Sequence, residues 1–461
     1  MRLASGTFFM GRPAYGSVLY MREDYTGMLE ELLKLFASGT RKVVVSGNPG
    51  IGKSWFGFVV LHHLATRELD TRVVWESRRK QCRYLFDGAS VQQGDLAAFA
   101  SVLEDATAWY IVDELEKGGP GPNDSEAKAI VLSSPKRENY NSILKAIGAT
   151  IRYMPVWSWE EIETCHALLY ADDPERPLKE VEQAYTRWGG IPRYVLEKLR
   201  DPSIQNELGR SVSRSDMAKL TAAVGELEAA DDLSHRVLHI AVTRPYINTT
   251  VVFGSSTIAN LVLTKLESQD SDRLVSFLRY AVSDPTIAGF RGMVFEAYAH
   301  RALRAGGTFQ VRRLTAADGD ETSTIELKLD SELRLLKTVN DLGACPAGAY
   351  CQALAQNFPV VDAAVLPSQL FQMTVSPKHG VSRAGLRRVL GLLPAAPRYD
   401  LFFVVPDELF DRLGIQRYDG GLGANRSAEQ KQGMELDDRM QRVVQWVLCI
   451  PFDARSDKGN A

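Results

Sequence analysis

The sequence predicts an α/β protein built from two units, and three observations lead to this prediction. An apolar run at 41–46 is followed by a glycine-rich turn and then by a segment with helical periodicity. A second apolar run ends in two acids at 113–114, as expected where a buried strand ends. Strands and helices alternate again from about residue 288. With 461 residues, 45% of them hydrophobic, the chain is long enough for two or three buried cores.

Composition and charge exclude several classes of protein. Lys and Arg number 54 against 57 Asp and Glu, so the chain as a whole is not a polybasic nucleic-acid binder, although a local basic groove remains open. The five cysteines are scattered and lack paired zinc spacing, which favours reduced thiols in the cytosol or nucleus. No run approaches the roughly 18 to 20 apolar residues of a membrane span, and the N-terminus lacks the pattern of a signal peptide.

The turn SGNPGIGKS at 46–54 has the spacing of a phosphate-binding loop. Its glycines let backbone N–H groups turn toward phosphate oxygens, and the helix that follows adds its positive end. We expect Lys53 to bridge the terminal phosphates and Ser54 to hold Mg²⁺. The predicted nucleotide-binding residues of this loop are Gly47, Asn48, Pro49, Gly50, Gly52, Lys53 and Ser54.

Two acids follow the apolar run ATAWYIVDE. Asp113 is predicted to reach the metal ion through water, and Glu114 to polarise the water that attacks the phosphate. The alternative is a solvated loop after a buried strand. The next apolar run, AIVLSSP, ends in Ser133 and Ser134, which fit either a polar sensor of the nucleotide or a simple strand end.

A helical lid is predicted after the nucleotide-binding strands. Ser158 is expected to be the N-cap of one helix, because two glutamates follow in the first turn. The turn Gly189-Gly190 precedes a helix start that carries Arg193, where a cation can reach nucleotide phosphates. Arg187 is a weaker candidate, and an incidental arginine at a helix start is the alternative. Residues 200–285 show helical periodicity without assignable chemistry and are interpreted as lid and linker.

These patterns divide the chain into five predicted segments. They are a lead at 1–37, a P-loop NTPase domain at 38–198, a helical lid or linker at 199–287, a second α/β domain at 288–455 and a tail at 456–461.

The second α/β domain places polar side chains inside apolar elements. Glu296 lies on an apolar helix face, and Asp362 lies within an apolar strand. Gln372 and Thr374 are two residues apart on the next strand and therefore share a face. Such residues can converge on one divalent metal, as in metal-dependent phosphodiesterases of the restriction-endonuclease type. That type usually carries Glu-x-Lys on the last strand, whereas this chain has Gln372-x-Thr374 with Lys378 just beyond.

A literal Glu-x-Lys occurs elsewhere, as Glu326-x-Lys328 with Asp318 and Asp320 upstream. Those aspartates lie in a turn-like segment, and alternating acids and bases are typical of any half-exposed strand. The set that contains Asp362 is therefore preferred. A folded binding domain without catalysis remains the alternative to both sets.

Together these blocks resemble the Crinkler effectors and the related retrotransposon-hot-spot proteins. The resemblance covers about 38–452 and rests on the order of SGNPGIGKSWF, IVDE, MPVWSWEE, GGIPRYVL, GMVFEAYAH, VDAAVLP, LFQMTVS-x-x-H and the closing LFFVVP and QWVLCIPF. It implies a P-loop ATPase joined to a restriction-endonuclease-like domain. It also implies association with nuclei and nucleic acid and, in pathogens, delivery into host cells.

The resemblance also implies roles for single residues. Those implied to serve the nucleotide are Gly47, Gly52, Lys53, Ser54, Asp113, Glu114 and Arg193, and those implied to form the nuclease centre are Glu296, Asp362, Gln372 and Lys378. The Gln in place of Glu is shared with the family pattern. The N-terminal header with a leucine-rich translocation motif, found in many Crinklers, is not visible, so secretion and effector status are not carried over. The expected location is the nucleus or cytoplasm, or a host cell if the protein is secreted as an effector.

We therefore predict an ATP-hydrolysing protein coupled to a Mg²⁺-dependent nuclease-like domain that acts on DNA. ATP binding is expected to close the lid through Arg193 and to reposition the second domain on nucleic acid. The alternatives are a signalling ATPase whose second domain only binds DNA or protein, and a nucleotide-dependent homo-oligomeric scaffold. A basic face for nucleic acid would come from Arg312, Arg313, Lys378, Arg383, Arg387 and Arg388.

Overall fold

The chain forms two compact units in the computed structural model, Met1–Gly254 and Ser255–Ala461. Each unit combines helices with a β-sheet, so the predicted α/β class is confirmed. The structure describes residues 1–67, 71–113, 124–225, 234–279, 285–314, 322–327, 330–336, 338–353, 360–419 and 438–451.

A seven-stranded sheet forms the centre of the first unit. Its strands are β1 (Lys42–Ser46), β2 (Val73–Ser77), β3 (Cys82–Asp87), β4 (Ser90–Gly94), β5 (Trp109–Asp113), β6 (Lys128–Leu132) and β7 (Ala149–Tyr153). They lie in the order β4-β3-β2-β5-β6-β1-β7, and all pairs from β2 to β7 in this order are parallel. The β3–β4 hairpin adds an antiparallel edge. Because the carboxyl ends of parallel strands share one edge, residues that follow β1, β5 and β6 become neighbours there.

Some helices of the first unit pack against this sheet, and others follow its last strand in the sequence. The helices are α1 (Glu23–Ala37), α2 (Lys53–Arg67), α3 (Ala100–Leu103), α4 (Arg137–Leu144), α5 (Trp159–Leu169), α6 (Leu178–Trp188), α7 (Pro202–Gln205), α8 (Glu207–Arg214), α9 (Met217–Gly225) and α10 (Ser234–Val237). Ser158 caps α5 as predicted, because its hydroxyl accepts from the Glu161 N–H while the Glu161 carboxylate accepts from the Ser158 N–H.

The predicted lead at 1–37 is an integral part of the first unit. Tyr25, Met28 and Leu32 recur at helical spacing along α1 and are buried. Arg22, just before α1, is fully buried and forms an ion pair with Glu161 of α5, with Nε and Oε1 2.8 Å apart. The lead therefore packs against α5, with a buried charge pair at the contact.

A β-hairpin occupies part of the segment that we interpreted as helical lid. Its strands are β8 (Leu238–Thr243) and β9 (Asn248–Phe253). The β-branched run NTTVVF favours a strand, and this local preference outweighs the helical periodicity read over the longer window. The hairpin belongs to the first unit, and the helix after it belongs to the second, so the division after residue 254 differs from the predicted boundaries at 199 and 287.

The second unit is centred on an eight-stranded mixed sheet. Its strands, in spatial order, are β11 (Thr322–Leu327), β10 (Gly307–Arg313), β19 (Val443–Ile450), β17 (Tyr399–Pro406), β15 (Gln369–Met373), β14 (Ala363–Val365), β13 (Ala349–Ala353) and β12 (Asp330–Leu336). A separate parallel pair consists of β16 (Val381–Ser382) and β18 (Tyr418–Asp419). The helices are α11 (Ser256–Arg279), α12 (Pro285–Ala305), α13 (Arg383–Leu392) and α14 (Asp407–Phe410).

The two faces of this sheet pack against different helices. On one face, Leu370 and Phe403 join a core cluster with Leu386 of α13. On the other face, Tyr350 contacts His300 of α12, and an aromatic row continues from Tyr350 across the sheet through Phe371, Phe402 and Trp446. Because side chains alternate along a strand, each strand residue of the second unit can be assigned to the α12 face or to the α13 face.

Among the helices of the described ranges, none is both long enough and apolar enough to cross a membrane.

Candidate functional site

The predicted phosphate-binding loop lies between β1 and α2, as expected. Gly47, Gly50 and Gly52 have φ angles of 146°, 87° and 99°, in the region that favours glycine, so the loop needs these residues to turn. Lys53 Nζ donates to the carbonyl oxygens of Gly47 at 2.7 Å and of Asn48 at 2.9 Å. The lysine ammonium is thus folded back over the loop, at the position where phosphates would lie.

Side chains from other elements hold the carbonyl oxygens of this loop. Tyr25 OH donates to Gly52 O at 2.9 Å, and Trp157 Nε1 donates to Ile51 O at 2.8 Å. Within the described part of the chain, no protein acceptor is bonded to the N–H groups of Asn48, Gly50, Ile51 and Gly52. Carbonyls fixed by donors and N–H groups without acceptors together make a concavity suited to an anion. No role was predicted for Tyr25, and Trp157 was noted only as part of the block MPVWSWEE.

Ser54 and Asp113 meet at the carboxyl edge of the sheet. Ser54 Oγ donates to Asp113 Oδ1 at 2.7 Å, although the two residues are 59 positions apart in the sequence. Strand β6 lies between β1 and β5 and ends beside this pair. Ser133 follows β6 and is buried, and its hydroxyl oxygen has no hydrogen-bond partner among the described residues. Ser54, Asp113 and Ser133 therefore lie at the carboxyl edge of neighbouring strands.

Arg193 lies against the loop as well. Its backbone N–H donates to Gly50 O at 3.3 Å, and a Cβ on Gly50 would lie 3.3 Å from Arg193 Nε. Arg187 is directed elsewhere, because its guanidinium donates to Gln205 O at 2.9 Å. Glu114, predicted to polarise water, lies outside the described residues.

Asn48 anchors the loop through its side chain, which sequence reasoning had assigned to the nucleotide. Its Nδ2 donates to the carbonyls of His235 at 3.3 Å and Leu238 at 3.2 Å, and its Oδ1 accepts from the N–H of Ile240 at 2.8 Å. Only its backbone remains to face a phosphate. Burial, and then the neighbouring His235, lowers the pKa of His239 to about 3. The start of the β8–β9 hairpin is therefore hydrogen-bonded to the loop. The neighbouring His239 is uncharged near neutral pH.

In the second unit, the structure brings Glu296 and Asp362 close together on the α12 face. Burial, and then the charge of Glu296, raises the pKa of the Asp362 carboxyl well above its usual value. His300, one helical turn after Glu296, is buried, with Nε2 3.7 Å from Glu296 Oε1. Its Nδ1 is 2.7 Å from Tyr350 OH. Burial and the charge of Asp362 raise the pKa of Tyr350, which keeps its proton.

Asp362 lies at an irregular end of the β14–β15 pairing. Its N–H donates to Phe371 O at 2.9 Å, although the Cα partner of Phe371 is Ala363. The Met373 N–H then donates to Asp362 Oδ2 at 2.7 Å instead of to a backbone carbonyl. This irregularity explains how Asp362 reaches Glu296 on the α12 face.

Gln372 and Lys378 do not join these acids. Phe371 lies on the α12 face, so Gln372, the next residue, points to the α13 face. There its Nε2 is 2.7 Å from His379 Nε2, and His379 Nδ1 is 3.3 Å from Thr374 Oγ1. Lys378 is exposed, and its printed contacts run through its backbone to Ser376. The described residues show no contact between Gln372 and either acid.

The competing Glu-x-Lys set does not form a site either. Glu326 is exposed on β11, at the sheet edge, while Asp318, Asp320 and Lys328 lie outside the described residues. Of the basic residues expected to face nucleic acid, Arg312 is used internally, since its guanidinium donates to Phe410 O and Leu413 O at 2.8 Å. Across the described ranges, no three His, Cys, Asp or Glu side chains stand together in a ready-made metal site.

Comparison with known proteins supports part of the predicted resemblance. No protein-family model matches the chain. Crinkler effector protein 15 of Phytophthora infestans is 27% identical over 402 residues, which cover 84% of this chain and 63% of that protein. Crinkler effector protein 16 of the same organism is 26% identical over 402 residues, covering 84% of this chain and 62% of that protein. The chain thus spans slightly less than two thirds of the length of these two relatives.

A solved structure also matches part of the chain. AMPPCP-bound DnaA from Aquifex aeolicus is 13% identical, covers 47% of this chain and 85% of its own, and has a TM-score of 0.28. A TM-score of this size does not separate a shared fold from a chance overlay of helices and strands. Any argument for a nucleotide site therefore rests on the strand order and the contacts described above.

Proposed function

We propose that the first unit binds and hydrolyses ATP. The single observation that carries the proposal is the 2.7 Å hydrogen bond from Ser54 Oγ to Asp113 Oδ1 beside the glycine-rich loop. A hydroxyl at the helix start and a carboxylate at the end of a nearby parallel strand are the pair that a phosphate-bound Mg²⁺ needs. Chance proximity does not explain why the loop carbonyls are also held by donors, which leaves the N–H groups for an anion.

Each residue of the loop then has a defined task. The N–H groups of Gly50, Ile51 and Gly52 bind phosphate oxygens, and Lys53 exchanges its two carbonyl contacts for the terminal phosphates. Ser54 and Asp113 would hold Mg²⁺, which when bound neutralises charge on the phosphate oxygens. Arg193 supplies a further cation from beside Gly50. Glu114 is proposed to polarise the attacking water.

Ser133 is proposed as the polar sensor of the bound nucleotide. Its buried hydroxyl has no partner in the described chain and lies at the end of the strand between β1 and β5. A buried hydroxyl without a hydrogen bond lowers stability. A ligand or water that accepts a hydrogen bond from it would remove that cost. The terminal phosphate is the natural acceptor at this position.

For the second unit, we propose a restriction-endonuclease-like, metal-dependent nuclease that acts on DNA. The acids Glu296 and Asp362 support this proposal, and the resemblance stated from the sequence implies such a domain. A buried carboxylate beside a second carboxylate fits a divalent cation, since the cation would offset both charges. Mg²⁺ is the cation that this class uses, and it would be held by these two acids without Gln372 or Lys378. The location proposed for such a protein is the nucleus or cytoplasm, or a host cell.

A second candidate function is a signalling ATPase whose second unit only binds nucleic acid or protein. The observation that favours it is the exposure of Lys378 and the departure of Gln372 to the α13 face, because both leave the acids without the usual catalytic partners. A nucleotide-dependent homo-oligomer is the third candidate, and light scattering with and without ATP would reveal it.

One experiment separates these candidates. Purified protein is incubated with Mg²⁺, ATP and supercoiled plasmid, and phosphate release and nicking are read together for the wild type, Lys53→Ala and Asp362→Ala. We expect phosphate release to disappear in Lys53→Ala and nicking to disappear in Asp362→Ala. Nicking that persists in Lys53→Ala would show that ATP does not control the nuclease. Phosphate release without nicking in any sample would favour the signalling ATPase.

A further inference from the structure

The β8–β9 hairpin is joined to the glycine-rich loop by one buried side chain. Asn48 is fully buried. Its Nδ2 donates to His235 O and Leu238 O, and its Oδ1 accepts from the Ile240 N–H. Both donors of the amide are therefore used by backbone groups at the start of the hairpin. Because a buried amide that lost these partners would lower stability, the backbone of the loop at Asn48 is fixed by the position of β8.

The end of the hairpin packs against the turn that leads to Arg193. Gly189 has a φ of 70°, and a Cβ at this position would lie 1.9 Å from Gly254 O and 3.2 Å from His239 Cε1. Gly254 is held at the hairpin because its N–H donates to Val237 O at 2.9 Å. The backbone of the turn therefore lies directly on the hairpin, where only glycine fits. From this turn the chain runs to Arg193, whose N–H donates back to the loop.

The turn between β8 and β9 is fixed as well. Tyr246 O accepts from the N–H of Tyr153 at 2.8 Å, and Tyr246 OH donates to Asp24 Oδ1 at 3.0 Å. Tyr246 is buried and has a φ of 71°, a conformation that is unfavourable for a residue with a side chain. Such a conformation persists where the surrounding contacts require it. The hairpin is thus held by the first unit at its turn and at both of its ends.

The contact that a nucleotide would change lies on Asn48 too. Lys53 Nζ donates to Asn48 O at 2.9 Å, and in the proposed function Lys53 exchanges this bond for a phosphate. Asn48 directs its backbone oxygen to the lysine and its side chain to the hairpin. One residue therefore separates the Lys53 contact from β8.

We propose that Asn48 is a positioning residue and that the β8–β9 hairpin sets the loop and the turn before Arg193 in one arrangement. A nucleotide that meets this arrangement finds the loop N–H groups already turned inward, so less conformational entropy is lost on binding. The bound nucleotide in turn stabilises the contact between Asn48 and β8. The inference rests on the proposed nucleotide binding by the first unit and assigns a task to 235–254, where the sequence shows no motif.

The test measures the affinity of the full-length protein for the non-hydrolysable ATP analogue AMPPCP with Mg²⁺, by calorimetric titration of the wild type and of Asn48→Ala. We expect the dissociation constant to rise about tenfold in Asn48→Ala, because the ligand must then order the loop itself. Melting curves without nucleotide are recorded first. The titration is run well below the melting temperature of each protein, so that unfolding does not contribute.

Gln416→Ala is the matched control. The Gln416 amide of the second unit is also buried, donates to two backbone carbonyls and accepts from the N–H of His379. Its removal should lower the melting temperature, as in Asn48→Ala, but leave the affinity for AMPPCP unchanged. Unchanged affinity in Asn48→Ala, or an equal loss of affinity in both variants, would overturn the inference.

Hydrogen exchange of the wild type tests the same inference without any variant. We expect AMPPCP to slow exchange in β8 and at 189–190 as well as in the loop at 46–54. The β3–β4 hairpin, at the far edge of the sheet, should be unchanged. Slowing confined to the loop would overturn the inference and leave nucleotide binding intact. Absence of AMPPCP binding by the wild type would instead remove the proposed function of the first unit, and the inference with it.

Discussion

The proposed nucleotide site of the first unit and the acidic cluster of the second unit are assembled in different ways. Most of the nucleotide site lies in one turn between β1 and α2, and a single distant residue, Asp113, completes its Ser54 contact. The acidic cluster pairs Glu296 of α12 with Asp362, which lies just before β14 and 66 positions farther along the chain. A contiguous site depends on local geometry, whereas a dispersed site depends on strand pairing and on which face each side chain takes.

Strand pairing determines which residues meet at each of the two sites. Parallel pairing of β5, β6 and β1 brings Asp113 to the loop without any irregularity. In the second unit, the irregular pairing at Asp362 sends its carboxylate to the α12 face, while regular alternation sends Gln372 to the α13 face. Four predictions sharpen this contrast, in order of decreasing effect.

The largest effect is expected at Ser54. Ser54→Ala removes the hydroxyl that meets Asp113, and we expect ATP hydrolysis to fall about a hundredfold or more, because the lost contact serves the charged transition state. Ser54→Thr keeps the hydroxyl and should retain most activity. Steady-state phosphate release measures both, and equal rates for the Ala and Thr variants would show that the contact is not used.

A smaller effect is expected at Arg193. Its guanidinium lies beside Gly50, and a charge-assisted hydrogen bond of 1.5 to 3 kcal/mol corresponds to about ten- to a hundredfold in rate. Arg193→Ala should therefore slow hydrolysis by this factor. Arg187→Ala is the matched control, because Arg187 is bonded to Gln205 and should leave the rate unchanged. If hydrolysis slowed in Arg187→Ala but not in Arg193→Ala, Arg187 would be the arginine that serves the nucleotide.

The sequence indicated most of the residues that meet at the proposed nucleotide site and fewer of those around the acidic cluster. The loop, Asp113, the Ser158 cap and the position of Arg193 follow from motifs that act within a few residues or along parallel strands. Gln372 was assigned to the acids because residues two apart share a face, but that rule does not say which face. The β8–β9 hairpin was missed because a short β-branched run lay within a longer helical pattern. His300, which lies next to Glu296 and Tyr350, carried no motif at all.

Gln372 of the second unit provides a third test. Gln372→Leu should lower the free energy of unfolding by about 1 to 3 kcal/mol, since it removes the partner of His379. The same variant should keep Mg²⁺-dependent nicking, because Gln372 points to the α13 face, away from Glu296 and Asp362. Urea unfolding and plasmid nicking measure the two effects. Lost nicking with unchanged stability would restore Gln372 to the proposed nuclease centre.

The smallest effect concerns pH. The pKa of His239 is lowered to about 3 in the folded state, so the unfolded state takes up a proton below about pH 6.5 that the folded state does not. The free energy of unfolding should therefore fall by about 1 kcal/mol between pH 6.5 and 5.5.

The raised pKa of Asp362 acts in the opposite direction, lowering stability as pH rises above about 4. Urea unfolding of the wild type and of His239→Asn at pH 6.5 and 5.5 measures the loss of stability that is due to His239. An equal loss of stability in both proteins would remove His239 as its source.

The most direct test of the nucleotide site compares ATP binding and phosphate release in one preparation of the wild type and of Asp113→Asn. Asparagine keeps the size of the side chain and an acceptor for Ser54, but it removes the charge that would hold Mg²⁺. We predict that Asp113→Asn still binds ATP through the loop N–H groups and Lys53, while phosphate release falls about a hundredfold. Unchanged phosphate release in this variant, or no ATP binding by the wild type, would contradict the account.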